Sequence, residues 1–345
     1  VYAAQDTEGG ENFGPFAGPL TMVLDTQVST PAAPDLQDGS DTGRFSDDDL
    51  TKNRTPTFDI GNVEPQAEVT LTLYPDTSAT PLTAKGIVRE GVEVIPIQAP
   101  NLPIPADTGE DGFTVRAQQV DLAGNVSGFS ADLEIRVDIL VAKPTVPDLL
   151  PASDLGRLDT DNVTSDSSPD LEVAGLASQG GILEAEAKVY LHLRSSQNPA
   201  YNKDLVEILG DGDETLVFTP DLLLDSSYEV YAEQEDLAGN LSVSSDRLSP
   251  LIIDTVVLPP GKPDLQANSD TGRSNADDIT ADATPTILVG NVEAQATVLL
   301  TFDAPAPLLD PVLEQVALVA GNVELTPLTN LVDASYTVVA QQRDL

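Results

Sequence analysis

The chain repeats itself at steps of 113 and 116 residues, and this internal repeat constrains its fold more than any other feature. Three related stretches, "GSDTGRFSDDD", "ASDLGRLDTDN" and "NSDTGRSNADD", carry a matching aspartate, at Asp41, Asp154 and Asp270. A second aspartate closes an alternating run in each period, at Asp25, Asp138 and Asp254. A period of this length is typical of one small domain, so the sequence predicts a tandem array.

Two of these stretches contain Asp-Thr-Gly, the triplet found in each lobe of a pepsin-like aspartic protease. In such a protease the triplet follows an apolar strand that buries the aspartate, so that two carboxylates share one proton. Here a polar, turn-like stretch at 35–40 precedes Asp41, and the middle copy has Leu155 in place of the threonine. The only histidine, His192, is predicted to point outward from a strand and to be inert. The sequence therefore predicts that the chain is not an enzyme.

Short alternating runs predict that every period is built of β-strands. In "AEVTLTLY" at 67–74, Val69, Leu71 and Leu73 alternate with polar residues, which is the two-residue period of a half-buried strand. The runs at 112–121 and 131–139 alternate in the same way, and the later periods repeat them. About seven short strands separated by Pro, Gly, Asn and Asp are typical of an immunoglobulin-like β-sandwich.

The charge balance limits the partners of the chain. Asp and Glu number 57 against 16 Lys and Arg, a net charge of −41. Such a chain repels nucleic acid and anionic membranes and attracts cations, although a solvated acidic surface explains part of the charge. No apolar run is long enough for insertion in a membrane, and the lack of cysteine excludes disulfides and thiolate metal sites.

Several short motifs recur in register: "TPTF" after the acidic loop, "DLAGNVS" or "DLAGNLS" before the last strand, and a closing Val-Asp or Ile-Asp. Together they resemble the bacterial immunoglobulin-like repeats of giant secreted surface adhesins, of the biofilm-associated and RTX types. The resemblance covers nearly the whole chain. It implies an all-β fold of tandem immunoglobulin-like β-sandwiches, arranged as an extended rod on the bacterial cell surface. It also implies joints stiffened by Ca²⁺. "LDSSY" and "VDASY", which end at Tyr228 and Tyr336, are similar to the tyrosine corner of such domains.

The register of these motifs divides the chain into four parts. Residues 1–26 are interpreted as the last two strands of a preceding repeat, 27–140 as repeat one, 141–256 as repeat two, and 257–345 as repeat three without its final strand. Alone, the two outer pieces would expose unpaired strand edges. We therefore expect neighbouring sequence, or an adjacent copy in a fibre, to complete them.

The acidic loops predict calcium sites, because Ca²⁺ takes about six to eight oxygen ligands and crowded carboxylates repel unless a cation lies among them. The loop between the first two strands is expected to face the next repeat, close to the end of the last strand and to the next "DLAGN" loop. The predicted ligands are Asp41, Asp48, Asp49, Asp138, Asp154, Asp159, Asp161, Asp236, Asp254, Asp270, Asp277 and Asp278. Two alternatives stay open: the clusters are solvated turns, and Asp121 and Asp236 shape only their own turns.

These features predict a structural protein: a calcium-stiffened spacer segment of an extracellular adhesin or fibre, whose partners are the neighbouring repeats. The repeats are expected to be equivalent. The alternative is a β-sandwich module that binds a carbohydrate or a protein. The chain has no Trp and only 15 Phe and Tyr residues, which disfavours an aromatic sugar platform. The ligand at the tip of the full-length protein is not specified by this segment.

Overall fold

The structure is a computed structural model that describes residues 6–7, 12–13, 17–156, 158, 160–176, 186–306 and 310–344. These residues form 24 β-strands and one turn of 3-10 helix, Pro199–Tyr201. Within the described ranges, no helix has the length and apolar character needed to cross a membrane. The chain forms two compact units. The first is mainly residues up to Val141 together with Glu235–Leu241, and the second contains most of the remainder.

The first repeat is a sandwich of two sheets, with strand order β3-β5-β8 in one and β4-β10-β9-β6-β7 in the other. Neighbouring strands are antiparallel except β4, which runs parallel to β10. The strands are β3 Asp35–Leu36, β4 Leu50–Thr51, β5 Thr57–Gly61, β6 Glu68–Pro75, β7 Leu82–Ile87, β8 Val94–Gln98, β9 Glu110–Val120 and β10 Leu133–Asp138. Before them, β1 (Asp6–Thr7) pairs with β2 (Asn12–Phe13), and residues 17–34 form no strand.

The core of the first repeat lies between its two sheets. Alternate residues of β6 and β9 are buried in it, including Val69, Leu71 and Phe113, which are fully buried. Phe58 of β5 meets them from the smaller sheet and is also fully buried. The alternation read from the sequence is therefore confirmed, and each buried side chain of this size contributes about 1.5–3 kcal/mol.

The second repeat has the same two-sheet arrangement, with orders β11-β13-β16 and β12-β18-β17-β14-β15. Its strands are β11 Asp148–Leu149, β12 Val163–Thr164, β13 Leu171–Ala174, β14 Lys188–Ser195, β15 Lys203–Ile208, β16 Thr215–Phe218, β17 Ser226–Glu235 and β18 Leu248–Ile253. The Tyr228 hydroxyl donates to the Leu224 carbonyl at 2.8 Å, which confirms the tyrosine corner.

The third repeat contributes sheets of order β19-β20-β23 and β22-β21-β24. Its strands are β19 Asp264–Leu265, β20 Ile287–Val292, β21 Thr297–Asp303, β22 Val312–Val316, β23 Gly321–Leu325 and β24 Thr337–Arg343. The Tyr336 hydroxyl makes the same corner bond, to the Val332 carbonyl at 2.8 Å. Each repeat thus has its own hydrophobic core, and the all-β, immunoglobulin-like fold predicted from the sequence is confirmed.

The backbone repeats in its irregular positions as well. The acidic loop of each repeat contains a residue with positive φ, at Asp49 (57°), Asn162 (58°) and Asp278 (57°). Asn and Asp tolerate this left-handed conformation better than other non-glycine residues. The three loops therefore share one backbone path, and this path positions their carboxylates.

Candidate functional site: the acidic loops

The first aspartate of each acidic loop is buried and holds the loop together. Asp41, Asp154 and Asp270 expose only 6%, 5% and 4% of their surface. In each repeat the Oδ2 atom accepts a hydrogen bond from the backbone N–H eight residues later, at 3.2–3.3 Å. The donor is the residue with positive φ, so side chain and backbone fix each other. This brace explains why the aspartate recurs without requiring a ligand.

The other carboxylate oxygen has no such explanation in two of the loops. Oδ1 of Asp41 and Oδ1 of Asp270 are buried without a hydrogen-bond partner. Burial raises the pKa of Asp41 to about 6. The Asp49 N–H opposes this rise, and the nearby charges of Asp48, Asp49 and Asp47 add to it. A buried, charged oxygen without a partner is unfavourable, and a cation would satisfy it.

The other members of the predicted set mostly shape their own turns. Asp48, Asp161, Asp254 and Asp277 each accept the backbone N–H two residues further on, at 3.2–3.3 Å. Burial raises the pKa of Asp49, and the charges of Asp35, Asp48 and Asp47 add to this rise. Asp159 lies outside the described residues.

The "DLAGN" loops are closed by an aspartate–asparagine pair. Asp121 accepts from the backbone and side-chain amides of Asn125 at 2.8 and 2.7 Å, and Asp236 does the same with Asn240 at 2.7 Å for both. Burial raises the pKa of Asp121, but the hydrogen bonds outweigh it and the pKa is lowered. Burial dominates at Asp236, whose pKa is raised. Both aspartates do shape their own turns, as one alternative proposed.

The loop Glu235–Leu241 packs against the acidic loop of the first repeat within one compact unit. Three successive carbonyls of this loop, those of Leu237, Ala238 and Gly239, accept hydrogen bonds. The donors are the Arg44 backbone N–H at 3.1 Å, the Thr42 hydroxyl at 2.9 Å and the Lys52 ammonium. The threonine and glycine of "SDTG" thus serve a loop-to-loop contact. The sequence analysis expected these two loops to lie close together but gave Thr42 and Gly43 no part in the contact.

Gly43 is required at the centre of this contact. Its φ is +108°, and a Cβ atom built there would lie 2.0 Å from the Leu237 carbonyl oxygen. Gly239 faces it, and a Cβ on Gly239 would lie 2.9 Å from the Cα of Gly43. The two backbones approach so closely that neither position has room for a side chain.

Asp138, at the end of β10, lies beside Asp236. The Asn240 side chain donates to the Asp138 carbonyl at 2.9 Å. Burial raises the pKa of Asp138 to about 6; the Leu140 N–H opposes this, and the charges of Asp236 and Glu110 add to it. The charges that add to the raised pKa of Asp41 are those of Asp48, Asp49 and Asp47, which form an acidic-loop group, whereas Asp138 and Asp236 form a group beside the second "DLAGN" loop.

A glutamate that the sequence analysis missed belongs to the matching group beside the first "DLAGN" loop. Among the described residues, the three carboxylates whose ligand atoms all lie within 4.8 Å of one another are those of Asp25, Glu64 and Asp121. The matching residues of the third repeat interact electrostatically: burial raises the pKa of Asp344 to about 6, and the charges of Asp254 and Glu293 add to the rise. "GNVEPQA" at 61–67 and "GNVEAQA" at 290–296 carried this signal.

These carboxylates give a pH prediction for the chain in chelator. Asp41, Asp138 and Asp344 have a pKa of about 6 in the folded state against an ordinary value of 3.8. Between these values the folded state binds more protons than the unfolded state, so stability falls as pH rises through about 6. We expect the metal-free chain to melt at a higher temperature at about pH 5 than at about pH 7.5. A lower melting temperature at the acidic pH would contradict the buried placement.

The fold and the repeated loops define a tandem array of immunoglobulin-like β-sandwiches. The family model of the bacterial Ig-like domain matches residues 27–139, 140–255 and 257–345, and the chain belongs to this family. No curated protein sequence matches the chain.

Several solved structures are similar to this chain at low sequence identity. For each, the aligned share of this chain is given first and that of the solved chain second. A tetra-tandem repeat from the extending region of a large adhesion protein is 16% identical, covers 91% of this chain and 75% of its own, and has a TM-score of 0.28. The FN1–FN3 domains of chicken CNTN1 are 10% identical over 91% and 94%, with a TM-score of 0.29. The BSP domain of a biofilm associated protein is 13% identical over 66% and 30%, with a TM-score of 0.21.

Proposed function

We propose that the chain is a spacer segment of an extracellular bacterial surface adhesin, in which Ca²⁺ stiffens the joints of an extended rod of sandwiches. The observation that carries the calcium part is the buried, partnerless Oδ1 of Asp41, which recurs at Asp270. Family membership supports the placement in a bacterial surface protein. The role is structural and not enzymatic, and the segment lies outside the membrane.

Two kinds of ion position follow from the two carboxylate groups. In the acidic loop, Asp41 would supply its free Oδ1, with further oxygen atoms from Asp48 and Asp49. Beside the first "DLAGN" loop, Asp25, Glu64 and Asp121 already hold their ligand atoms within 4.8 Å of one another. Both groups offer only oxygen ligands, which Ca²⁺ prefers. Ca²⁺ also accepts a flexible arrangement of ligands, whereas Mg²⁺ requires a nearly octahedral one.

The proposed partners are the neighbouring repeats of the same chain, together with adjacent copies if the protein assembles into a fibre. Asp138 and Asp236 lie close together and raise the local negative charge where the Glu235–Leu241 loop meets the first repeat. An ion held there would replace this repulsion with attraction. Nucleic acid is disfavoured as a partner by the net charge of −41.

Small-angle X-ray scattering in Ca²⁺ and in chelator tests this function. We expect the maximum dimension to be sharply defined in Ca²⁺ and the distribution of distances to broaden in chelator, because repelling carboxylates loosen the joints while each sandwich keeps its own core. Equimolar Mg²⁺ is the control and should restore less order. The double variant Asp154→Asn, Asp161→Asn should loosen only the joint after the second repeat. Identical scattering profiles in Ca²⁺ and chelator would refute the calcium joints.

A further inference from the structure

The outward face of the larger sheet in the second repeat carries a cluster of aromatic rings. Tyr190 and His192 of β14 have ring centroids 6.5 Å apart and planes 7° from parallel. Tyr231 of β17 lies 4.8 Å from His192 with a 31° tilt. The chain has one histidine and seven tyrosines, and the histidine and four of the tyrosines fall within residues 141–256. Tyrosine and histidine are therefore concentrated in one repeat of the array.

Charged groups held in fixed positions border these rings. The Arg247 guanidinium lies 4.4 Å from the Tyr231 ring centroid and donates to Glu229 at 3.1 Å. His192 Nδ1 lies 2.6 Å from Asp204 Oδ1, and the Arg194 guanidinium donates to the same oxygen. Because these side chains constrain one another, they offer donors and acceptors at defined places beside apolar ring faces.

A shallow groove of about 560 Å³ continues the face beyond Tyr190. Its lining residues are Lys188, Tyr190, Val206, Glu207 and Ile208. Val206 and Ile208 on edge strand β15 are 53% and 48% exposed. The groove therefore joins an aromatic ring, two aliphatic side chains and two charged groups, within the size range of sites for small ligands.

The other repeats do not carry these rings at the equivalent positions, although the first repeat has a cluster of its own, in which the Arg116 guanidinium lies 4.4 Å from the ring centroids of both Tyr74 and Phe129. At the position of Tyr190, the first and third repeats have Thr70 and Leu299. At the position of His192 they have Thr72 and Thr301, and at the position of Tyr231 they have Arg116 and Val339. The second repeat therefore differs from the others in the residues on this outward face. Its three rings are partly buried, and His192 exposes 17% of its side chain.

We propose that this face of the second repeat, defined by Tyr190, His192, Arg194, Asp204 and Tyr231 with the adjoining groove, binds a neutral glycan. Sugar rings combine C–H faces, which pack on aromatic rings, with hydroxyl groups, which pair with fixed charged side chains. This binding role is separate from the calcium joints. It assigns His192 a ligand contact where the sequence analysis predicted an inert residue.

The charge of the face favours a neutral glycan over a polyanion. The face carries three cationic side chains, those of Lys188, Arg194 and Arg247. Four carboxylates lie among them, those of Asp204, Glu207, Glu229 and Glu233. The face therefore carries no excess positive charge, and the whole chain is strongly acidic, which repels acidic polysaccharides at long range.

Saturation-transfer NMR of the full chain with cellohexaose, maltohexaose and chitohexaose tests the proposal. We expect at least one of these glycans to receive saturation, with a dissociation constant in the range of about 0.1–5 mM. Tyr190→Ala and Tyr231→Ala should each weaken that binding by about tenfold. The matched controls Thr70→Ala and Leu299→Ala change the equivalent position in the other repeats and should leave binding unchanged.

Both tyrosines lie on the outward face, so the two alanine variants are expected to keep the melting temperature of the parent chain. A Tyr190→Phe variant, which retains the ring, should keep most of the glycan binding. The proposal is overturned if none of the three glycans binds at about 10 mM. The proposal would also be overturned if the Tyr190→Ala and Tyr231→Ala variants bound glycan as tightly as the parent chain. Saturation transfer to polygalacturonate but to none of the three neutral glycans would overturn it as well. Repeating the titration in chelator separates this site from the calcium joints, because glycan binding should persist without Ca²⁺.

Discussion

Replacing Gly43 with alanine is expected to displace the Glu235–Leu241 loop from the first repeat. The new Cβ would lie 2.0 Å from the Leu237 carbonyl oxygen and 2.9 Å from the Ala238 carbonyl carbon, and both are backbone atoms that cannot rotate away. The φ of +108° adds strain for any residue with a side chain. Separating the loops breaks three hydrogen bonds, each worth about 1 kcal/mol.

Hydrogen exchange of the Arg44 backbone amide, which donates to the Leu237 carbonyl across the contact, measures this displacement. We expect its protection to fall in Gly43→Ala while the amides of β6 and β9 keep theirs. Gly91→Ala is the matched control, because Gly91 also has positive φ (78°) but has no atom within 4 Å of an added Cβ. Equal loss of protection in the two variants would show that backbone strain alone matters, and unchanged protection in Gly43→Ala would contradict the close contact.

Replacing Asp41 with asparagine is expected to have opposite effects on stability with and without Ca²⁺. In chelator at neutral pH, asparagine removes a buried charge that lies close to Asp47, Asp48 and Asp49. Its amide can still accept from the Asp49 N–H and can donate to the neighbouring carboxylates. The melting temperature in chelator should therefore stay equal or rise. In Ca²⁺ the variant should lose stabilisation of about 2.7 kcal/mol at a concentration 100-fold above the dissociation constant.

Thermal melting with and without Ca²⁺ shows this reversal of sign. Asp107→Asn is the control, because Asp107 lies in a third Asp-Thr-Gly triplet outside the repeat register and is exposed. It should melt like the parent chain in both conditions. If Asp41→Asn lowers the melting temperature in chelator as much as in Ca²⁺, the aspartate acts only as a brace for its loop.

Much of the fold could be read from local patterns because each pattern has a local physical cause. The alternation of Val69, Leu71 and Leu73 determines which face of β6 is buried. The tyrosine corner at Tyr228 and Tyr336 depends on a carbonyl only four residues earlier in the chain. Such features are visible in sequence because the interacting groups are neighbours along it.

The site was only partly predictable because its contacts join distant parts of the chain. Glu64 lies 39 residues after Asp25 and 57 before Asp121, and only folding brings their carboxylates together. The role of Gly43 depends on a carbonyl nearly two hundred residues later, about which the "SDTG" motif carries no information. His192 was assigned correctly to an outward position, but one of the rings beside it, that of Tyr231, comes from a different strand.

The parallel pairing of β4 with β10, and of β12 with β18, has a mechanical consequence. In both repeats the strand near the start of the domain lies beside the strand at its end, through Leu50 and Arg136 in the first and Val163 and Ile252 in the second. Tension between the ends of such a domain acts along these strands, so their hydrogen bonds are sheared together and are not opened one by one. In the proposed spacer role, a pull along the chain would therefore load this pairing in shear in the first two repeats.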